Sequence, residues 1–326
     1  MHVANSRTSV RAMESPKVNV DNFVRAETDR MFAALSGAAS SGTEWTHYRE
    51  PTPLDHQTVI RMNRDTLYSY VILDISEGAT ITIPDGGDRY VSVMVVNQDH
   101  FINKIIHEPG EHQLTMDEYD TPFVMVAARV LVDPSDPADV KIVNALQDQF
   151  AVHSSSSKPF VPSDFDQDSL DATRAALLEL ATGLDGYDRS FGRKQDVDPV
   201  RHLLGTASGW GGLPEQEAYY VNVNPGLPVG EYQLTVRDVP VDAFWSVSLY
   251  DAEGFFDTQG NGATNINSVT ATPNGDGSIT VNFGNGSDDR PNRLSIMEGW
   301  NYIVRLYQPH PEVVTGAWTF PKITAS

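Results

Sequence analysis

The hydrophobic pattern of this chain changes period more than once, and the changes mark its organisation. Residues 1–18 are polar, mixed and aperiodic, which predicts a flexible arm. In VNVDNFVRAETDRMFAALSG the apolar side chains Val20, Phe23, Val24, Met31, Phe32 and Leu35 recur at helical spacing. Asn19 or Asp21 is available there as a cap and Gly37 as a stop. From Leu67 the period falls to two. YSYVILDI, ATITIP, RYVSVMVVN, FINKII, HQLTM and PFVMVAARVLV are rich in β-branched residues and are separated by SEG, PDGGD and EPGE, so they predict strands joined by turns. A two-residue hairpin loop at Pro109-Gly110 would set His107 opposite His112.

The helical period returns in PADVKIVNALQDQFAVH, which aligns Val140, Val143, Leu146 and Phe150, and in DQDSLDATRAALLELATGL, with Leu170, Leu177, Leu178 and Leu180. SSSSKPFVPSDFD lies between them and has the composition of a hinge. DVDPVRHLLGTASGWGG is a further helix, opened by Asp198-Pro199 and closed by glycines. Alternation then resumes in QEAYYVNVN, GEYQLTVRD, FWSVSLYD, SITVNFG, NRLSI and NYIVRLYQ, between turns rich in Gly, Asn and Asp. Strands at hairpin spacing argue against βαβ units. The pattern predicts a mainly β (α+β) fold: two antiparallel β-sandwich or jelly-roll-like lobes connected by a helical middle segment. The boundaries expected are an arm at 1–18, an N-terminal β lobe at 19–153, a helical connector at 154–214 and a C-terminal β lobe at 215–326.

Length and charge then narrow the function. With 326 residues the chain can hold about two domains and a full core. It has no cysteine, so disulfides, thiolate metal sites and cysteine nucleophiles are excluded. Asp and Glu number 44 against 23 Lys and Arg, for a net charge of −21. Such a field repels phosphate backbones and anionic lipid, so neither nucleic acid nor a membrane is an expected partner. Lysine is confined to Lys17, Lys104, Lys141, Lys158, Lys194 and Lys322, a balance open to two readings: salt adaptation or an ordinary acidic surface. A melting temperature that does not rise between low and molar KCl counts against the first. No apolar region opens the chain and no stretch approaches about 18 apolar residues, so a cytoplasmic location is expected. Symmetric self-association is common, and a homo-oligomer stays open.

The candidate chemistry centres on Val59 to Tyr70, VIRMNRDTLYSY. Arg61, Arg64 and Asp65 stand at the entrance to an apolar strand, where charge is costly unless paired. An arginine fork there suits a carboxylate, either Asp65 or Asp88 of this chain or that of a ligand, with Asn63 and Tyr68 adding directional hydrogen bonds. His100 follows Asp99 at the end of RYVSVMVVN, and Arg201-His202 precede the Trp210 glycine cluster. Histidine suits proton transfer near neutral pH, and an exposed Trp ring suits stacking. The candidate catalytic residues are therefore Asp65, His100 and His202. The candidate ligand-binding residues are Arg61, Asn63, Arg64, Tyr68, Arg201 and Trp210. The alternative is that these charges are struts between lobes. G-x-S-x-G, Walker A, G-x-G-x-x-G and HExxH are all absent, so no serine nucleophile or cofactor is expected. No metal site is assigned: the cross-strand pair His107 and His112 leaves a divalent ion with one carboxylate or water open, beside the reading of an exposed hairpin tip.

EPTPLDHQTVIRMNRDTLYS, PDGGDRYVSV and LVDPSDP, together with AYYVNVNP, VPVDAFWSVSLYDAEGFF and GWNYIVRLYQP, resemble the paired domains of unknown function 1254 and 1214. The resemblance implies a mostly β fold with one lobe per domain and helices between. Some relatives are described as carboxylesterases, which the missing serine motif does not support. The functional expectation is a cleft between the lobes for a small polar or anionic molecule. It belongs either to a hydrolase-like enzyme using His and Asp for acid–base work, or to a non-catalytic ligand-binding or assembly protein.

Overall fold

In the computed structural model, residues 15–36, 44–57, 60–184, 186–258, 262–286 and 289–326 are described. Most of the expected arm, together with Gly37 and Val59, lies outside them. The first helix, α1 (Phe23–Ser36), buries Phe23 and Phe32 as its spacing predicts, but also Glu27, Thr28 and Asp29, while Val20 stays exposed. The buried charges are tolerated because they are paired. Glu27 receives Arg30 and Arg174, and Asp29 receives Ser163 and Gln98.

The strands of the first half are β1 (Thr46–His47), β2 (Thr66–Asp74), β3 (Ala79–Ile83), β4 (Val91–Asn97), β5 (Ile102–Ile106) and β6 (Gly110–Leu114). After the short α2 (Met116–Tyr119) come β7 (Phe123–Leu131), α3 (Pro137–Gln147) and β8 (Ala151–Ser154). Next are α4 (Gln167–Ala181) and α5 (Pro199–Gly209), opened by the carboxylates of Asp166 and Asp198, which accept from backbone N–H groups of the first turn. The second half holds β9 (Ala218–Val223), β10 (Tyr232–Val236), β11 (Trp245–Tyr250), β12 (Asn265–Asn267), β13 (Ile279–Phe283), β14 (Arg293–Leu294), β15 (Asn301–Tyr307), α6 (Pro311–Val314) and β16 (Thr324–Ala325).

These strands form four sheets, ordered β1-β2-β7-β4-β5, β6-β3-β8, β12-β11-β15-β9 and β14-β13-β10-β16. The ladders are antiparallel apart from β13 with β14. The fold is thus mainly antiparallel β with helices, as the periodicity predicts. Two local expectations change. The EPGE turn does not close a hairpin: β5 pairs with β4 and β6 with β3, in different sheets. His107 and His112 are therefore parted, with His107 on Glu217 and His112 on the Glu108 carbonyl. Residues 151–154, which follow the helical period of α3 on paper, instead pair with β3.

Period two explains the layering. In β2, Leu67, Val71 and Leu73 face one way and join β3, β4, β7 and α3 in the first core. In β15, Tyr302, Val304 and Leu306 face the β10–β13 sheet in another. Each fully buried Val or Leu side chain contributes about 1.5–3 kcal/mol. The opposite faces of these same two sheets meet each other. Tyr90 of the first half packs on Tyr307 at 5.5 Å and on Phe244 at 5.3 Å between ring centroids. The hinge-like SSSSKPFVPSDFD is tied down, since Ser156 bonds to Asp74, Ser163 to Asp29, and Phe160 packs on Phe32 and Phe123.

Candidate functional site

The meeting face of the two inner sheets is apolar at one end and polar at the other, and alternation dictates which residues arrive there. In β7, Arg129 is the only charge in FVMVAARVL, and it is the register partner of Tyr68 on one side and Ser92 on the other. In β15, Arg305 is the register partner of Ser246 and of Tyr220. Arg305 and Tyr307 point away from the Tyr302, Val304 and Leu306 core. Arg129, Tyr68, Arg305, Tyr220 and Tyr307 therefore gather in one cluster between the sheets. Tyr220 lies on the edge strand β9 and keeps 37% of its surface accessible.

On one wall the two central charges, Asp65 and Arg305, are both hydrogen-bonded. Asp65, at 0% exposure, accepts from Ser246 Oγ at 2.6 Å and from Asn265 Nδ2 at 2.6 Å. Burial pushes its carboxyl up, against the opposing pull of Arg305 and those hydrogen bonds. Arg305 donates to Ser248 Oγ at 2.8 Å, to Tyr250 Oη at 2.8 Å and to the Arg61 carbonyl at 3.0 Å. Burial lowers its pKa, but Tyr250, Tyr307 and Asp65 together hold it above the ordinary arginine value.

The facing wall is not satisfied. Arg129 lies over the Tyr68 ring at 5.5 Å, and its Nη2 donates to the Gly211 carbonyl at 3.2 Å. Its Nη1 has no hydrogen-bond partner among the described residues. The groups that act on Arg129 most are tyrosines 68, 220, 90 and 307, not carboxylates. Burial alone would push the Tyr68 phenol up; Arg129, the hydrogen bond from Asn63 and Arg305 bring it below the usual tyrosine value. Tyr307 goes the other way, well above that value, through burial with Tyr220 and Asp65 nearby. One amide ties the two phenols together: Asn63 Nδ2 donates to Tyr307 Oη at 2.9 Å and to Tyr68 Oη at 3.4 Å.

Among the residues singled out in the sequence, Asn63, Asp65 and Tyr68 are brought into this cluster. Arg61 sits at its Arg305 end, at φ 57, its N–H bonded to the Gly254 carbonyl at 2.8 Å and its guanidinium over the Tyr250 ring at 5.9 Å. Arg64 pairs with neither Asp65 nor Asp88; it donates to the Thr52 carbonyl. His100 and His202 lie together behind the Arg129 wall, with ring centroids 5.5 Å apart. His100 meets Thr206 Oγ1 at 2.8 Å and accepts from the Gly211 N–H at 2.9 Å, while His202 meets the Ser190 and Asp99 carbonyls. Burial, with His202 beside it, pushes His100 well below the ordinary histidine value. Trp210 stacks on His100 at 5.1 Å and donates to Thr28 Oγ1. Arg201 reaches the Gly186 and Asp188 carbonyls on the far side of α5.

Arg129, Arg305, Tyr220 and Tyr307 were not picked out from the sequence. The signal was present: each arginine interrupts an apolar strand, in VMVAARVLV and NYIVRLYQ. Among the described residues no group of three or more His, Cys, Asp or Glu side chains is placed to hold a metal, and no helix is long and apolar enough to cross a membrane.

The architecture defines a class: mainly antiparallel β proteins whose two halves share one polar interface built from facing sheets. The model of a protein of unknown function, DUF1254, matches residues 43–113, and that of a second, DUF1214, matches residues 225–311, so both members of the pair are present in the chain. The structure is similar to that of the VPA0106 protein from Vibrio parahaemolyticus, at 17% identity over 94% of this chain and 97% of that one, with a TM-score of 0.73. It is also similar to an uncharacterised protein from Burkholderia cenocepacia, at 13% identity over 94% and 88%, with a TM-score of 0.52. At these identities the likeness concerns the fold alone. No curated protein matches the sequence.

Proposed function

We propose that the cleft between the two inner sheets binds a small carboxylate-bearing molecule. The observation that carries this reading is Nη1 of Arg129, a buried guanidinium nitrogen that has no hydrogen-bond partner among the described residues and no carboxylate acting on it. In a chain of net charge −21, three arginines (Arg61, Arg129 and Arg305) gather around this interface against the buried Asp65. A planar guanidinium with an unpartnered N–H suits a carboxylate, and a positive cleft in an acidic surface concentrates small anions that the remaining surface repels. Tyr68 and Tyr220 supply ring faces and hydroxyls beside it. His100 and His202 serve here as positioning groups, since His100 holds Gly211, and Gly211 in turn receives Arg129.

The test is thermal shift and calorimetry with acetate, malonate, citrate and glucuronate at fixed ionic strength, on the wild type and on Arg129→Met. A carboxylate that raises the melting temperature of the wild type should bind the variant about 10- to 100-fold more weakly, as expected for one charge-assisted pair. Equal binding by both proteins, or none by either, overturns the proposal.

A further inference from the structure

In the C-terminal half, the two facing sheets do not cover each other completely. On β15, Tyr302, Val304 and Leu306 face the β10–β13 sheet and are at most 1% exposed. Their register partners on the edge strand β9 are Val223, Val221 and Tyr219, which share that face but stay half-buried. Little of a strand covers them, since β16 pairs with β10 over two residue pairs. Their roof is the segment 316–323. At one end the Trp318 N–H donates to the Glu312 carbonyl at 2.8 Å, and beyond the other the Ser326 N–H donates to the Glu231 carbonyl at 3.1 Å. Between floor and roof lies a cavity of about 730 Å³, to which the roof contributes Trp318, Phe320 and Ile323. Small-molecule sites have this character, about 300–1,000 Å³ with a mostly apolar lining and a few placed polar groups.

The polar groups here are donors. Tyr302 lines the cavity at 1% exposure, and burial alone acts on its phenol, which is pushed up to about 12 with no hydrogen bond or charge to oppose it. A buried hydroxyl without a partner is costly, so this neutral O–H calls for an acceptor that the described residues do not supply. Lys322, exposed on the roof segment, is the one charged side chain among the described residues of the lining, and no carboxylate accompanies it there. We propose that this cavity binds a medium-chain fatty acid, its alkyl body against the apolar side chains of β9 and β15 and its head group taken by the Tyr302 and Lys322 donors. The site is separate from the Arg129 cluster, because Tyr302, Val304 and Leu306 occupy the face of β15 opposite to Arg305 and Tyr307.

Calorimetry with decanoate, decanol and decylamine, each below its micelle concentration, tests this on the full chain and on Lys322→Glu, Tyr302→Phe and Arg129→Met. The wild type should bind decanoate about tenfold or more tightly than decylamine. That order runs against the pull of a net charge of −21 on the amine, which non-specific adsorption would follow. Lys322→Glu alters an exposed residue and should weaken decanoate about tenfold while leaving decanol unchanged. Tyr302→Phe removes one oxygen and should weaken decanoate and decanol alike, by about three- to tenfold. Arg129→Met should bind decanoate as the wild type does. No decanoate binding by the wild type, a preference for the amine, or an affinity unmoved by both Lys322→Glu and Tyr302→Phe overturns the proposal. Loss of decanoate binding in Arg129→Met alone also overturns it, because the acid then sits in the Arg129 cluster.

Discussion

Arg305 and Arg129 occupy matching positions on the two inner sheets, each the one basic residue of its strand, yet their surroundings differ. Arg305 has Ser248, Tyr250 and the Arg61 carbonyl as acceptors and Asp65 as a counter-charge. Arg129 has one carbonyl, a ring face and a buried nitrogen with no hydrogen-bond partner among the described residues. A guanidinium taken from water must recover its hydrogen bonds somewhere. Where the fold returns all of them, the residue ties the halves together. Where the fold leaves one out, the remaining donor is available to something else.

The contrast is broken most directly by removing each arginine in turn. Arg305→Met leaves Asp65 buried without its counter-charge, and one-sided removal of a buried pair costs about 3–5 kcal/mol. Arg129→Met strands no carboxylate, so its cost should stay within about 1–2 kcal/mol, the range of an ordinary lost hydrogen bond and packing change. Urea unfolding of both variants measures this. Equal losses would remove the distinction between strut and site.

A smaller effect sharpens the link between the histidines and the Arg129 wall. The Gly211 N–H occupies His100 Nε2, so the imidazole is neutral with its proton on Nδ1 toward Thr206. Its folded-state pKa lies below the unfolded value of about 6.5. The unfolded chain therefore binds the extra proton first. This contribution is complete above that pH and is lost as pH falls through it, at up to about 1.4 kcal/mol per unit. Stability measured between pH 7 and 5 should drop less steeply in His100→Gln than in the wild type. Carboxylate affinity should fall with it if Gly211 truly steadies Arg129.

What the sequence disclosed follows the same line between satisfied and unsatisfied groups. Periodicity placed nearly every long strand and helix, because burying one face is a property of a segment by itself. Asn63, Asp65 and Tyr68 could be picked out because three polar residues crowd one strand entrance. Arg129 and Arg305 were passed over because each looks, along its own strand, like an isolated exception. Only the pairing of β7 with β2 and β4, and of β15 with β9 and β11, gives them neighbours. β12 was hidden for a related reason: three residues inside an Asn- and Gly-rich run have no period to display. The buried Glu27 and Asp29 of α1 contradict their helical pattern because distant partners reach them: Arg174 of α4, Ser163 before it and Gln98 after β4.

The smallest expected effect concerns the other histidine that bridges the halves, and its sign is opposite to that of His100. His107 Nε2 meets Glu217 at 2.8 Å, with both side chains about a quarter exposed. Burial lowers its pKa, but the Glu217 contact, with the Val91 carbonyl and Glu108, raises it above the ordinary value. A raised folded-state pKa means the stabilisation is fully present below the unfolded value and is lost as pH rises through the folded one. Partial exposure limits it to less than about 1 kcal/mol. His107→Gln should therefore be slightly less stable than the wild type at pH 5.5 and indistinguishable from it at pH 8.5. Because Glu217 leads into β9, which carries Tyr220 of the Arg129 cluster, a loss of carboxylate affinity in this variant at low pH would mean that the latch also shapes that cluster. Unchanged affinity would confine it to holding the halves together, leaving Arg129 as the group on which binding depends.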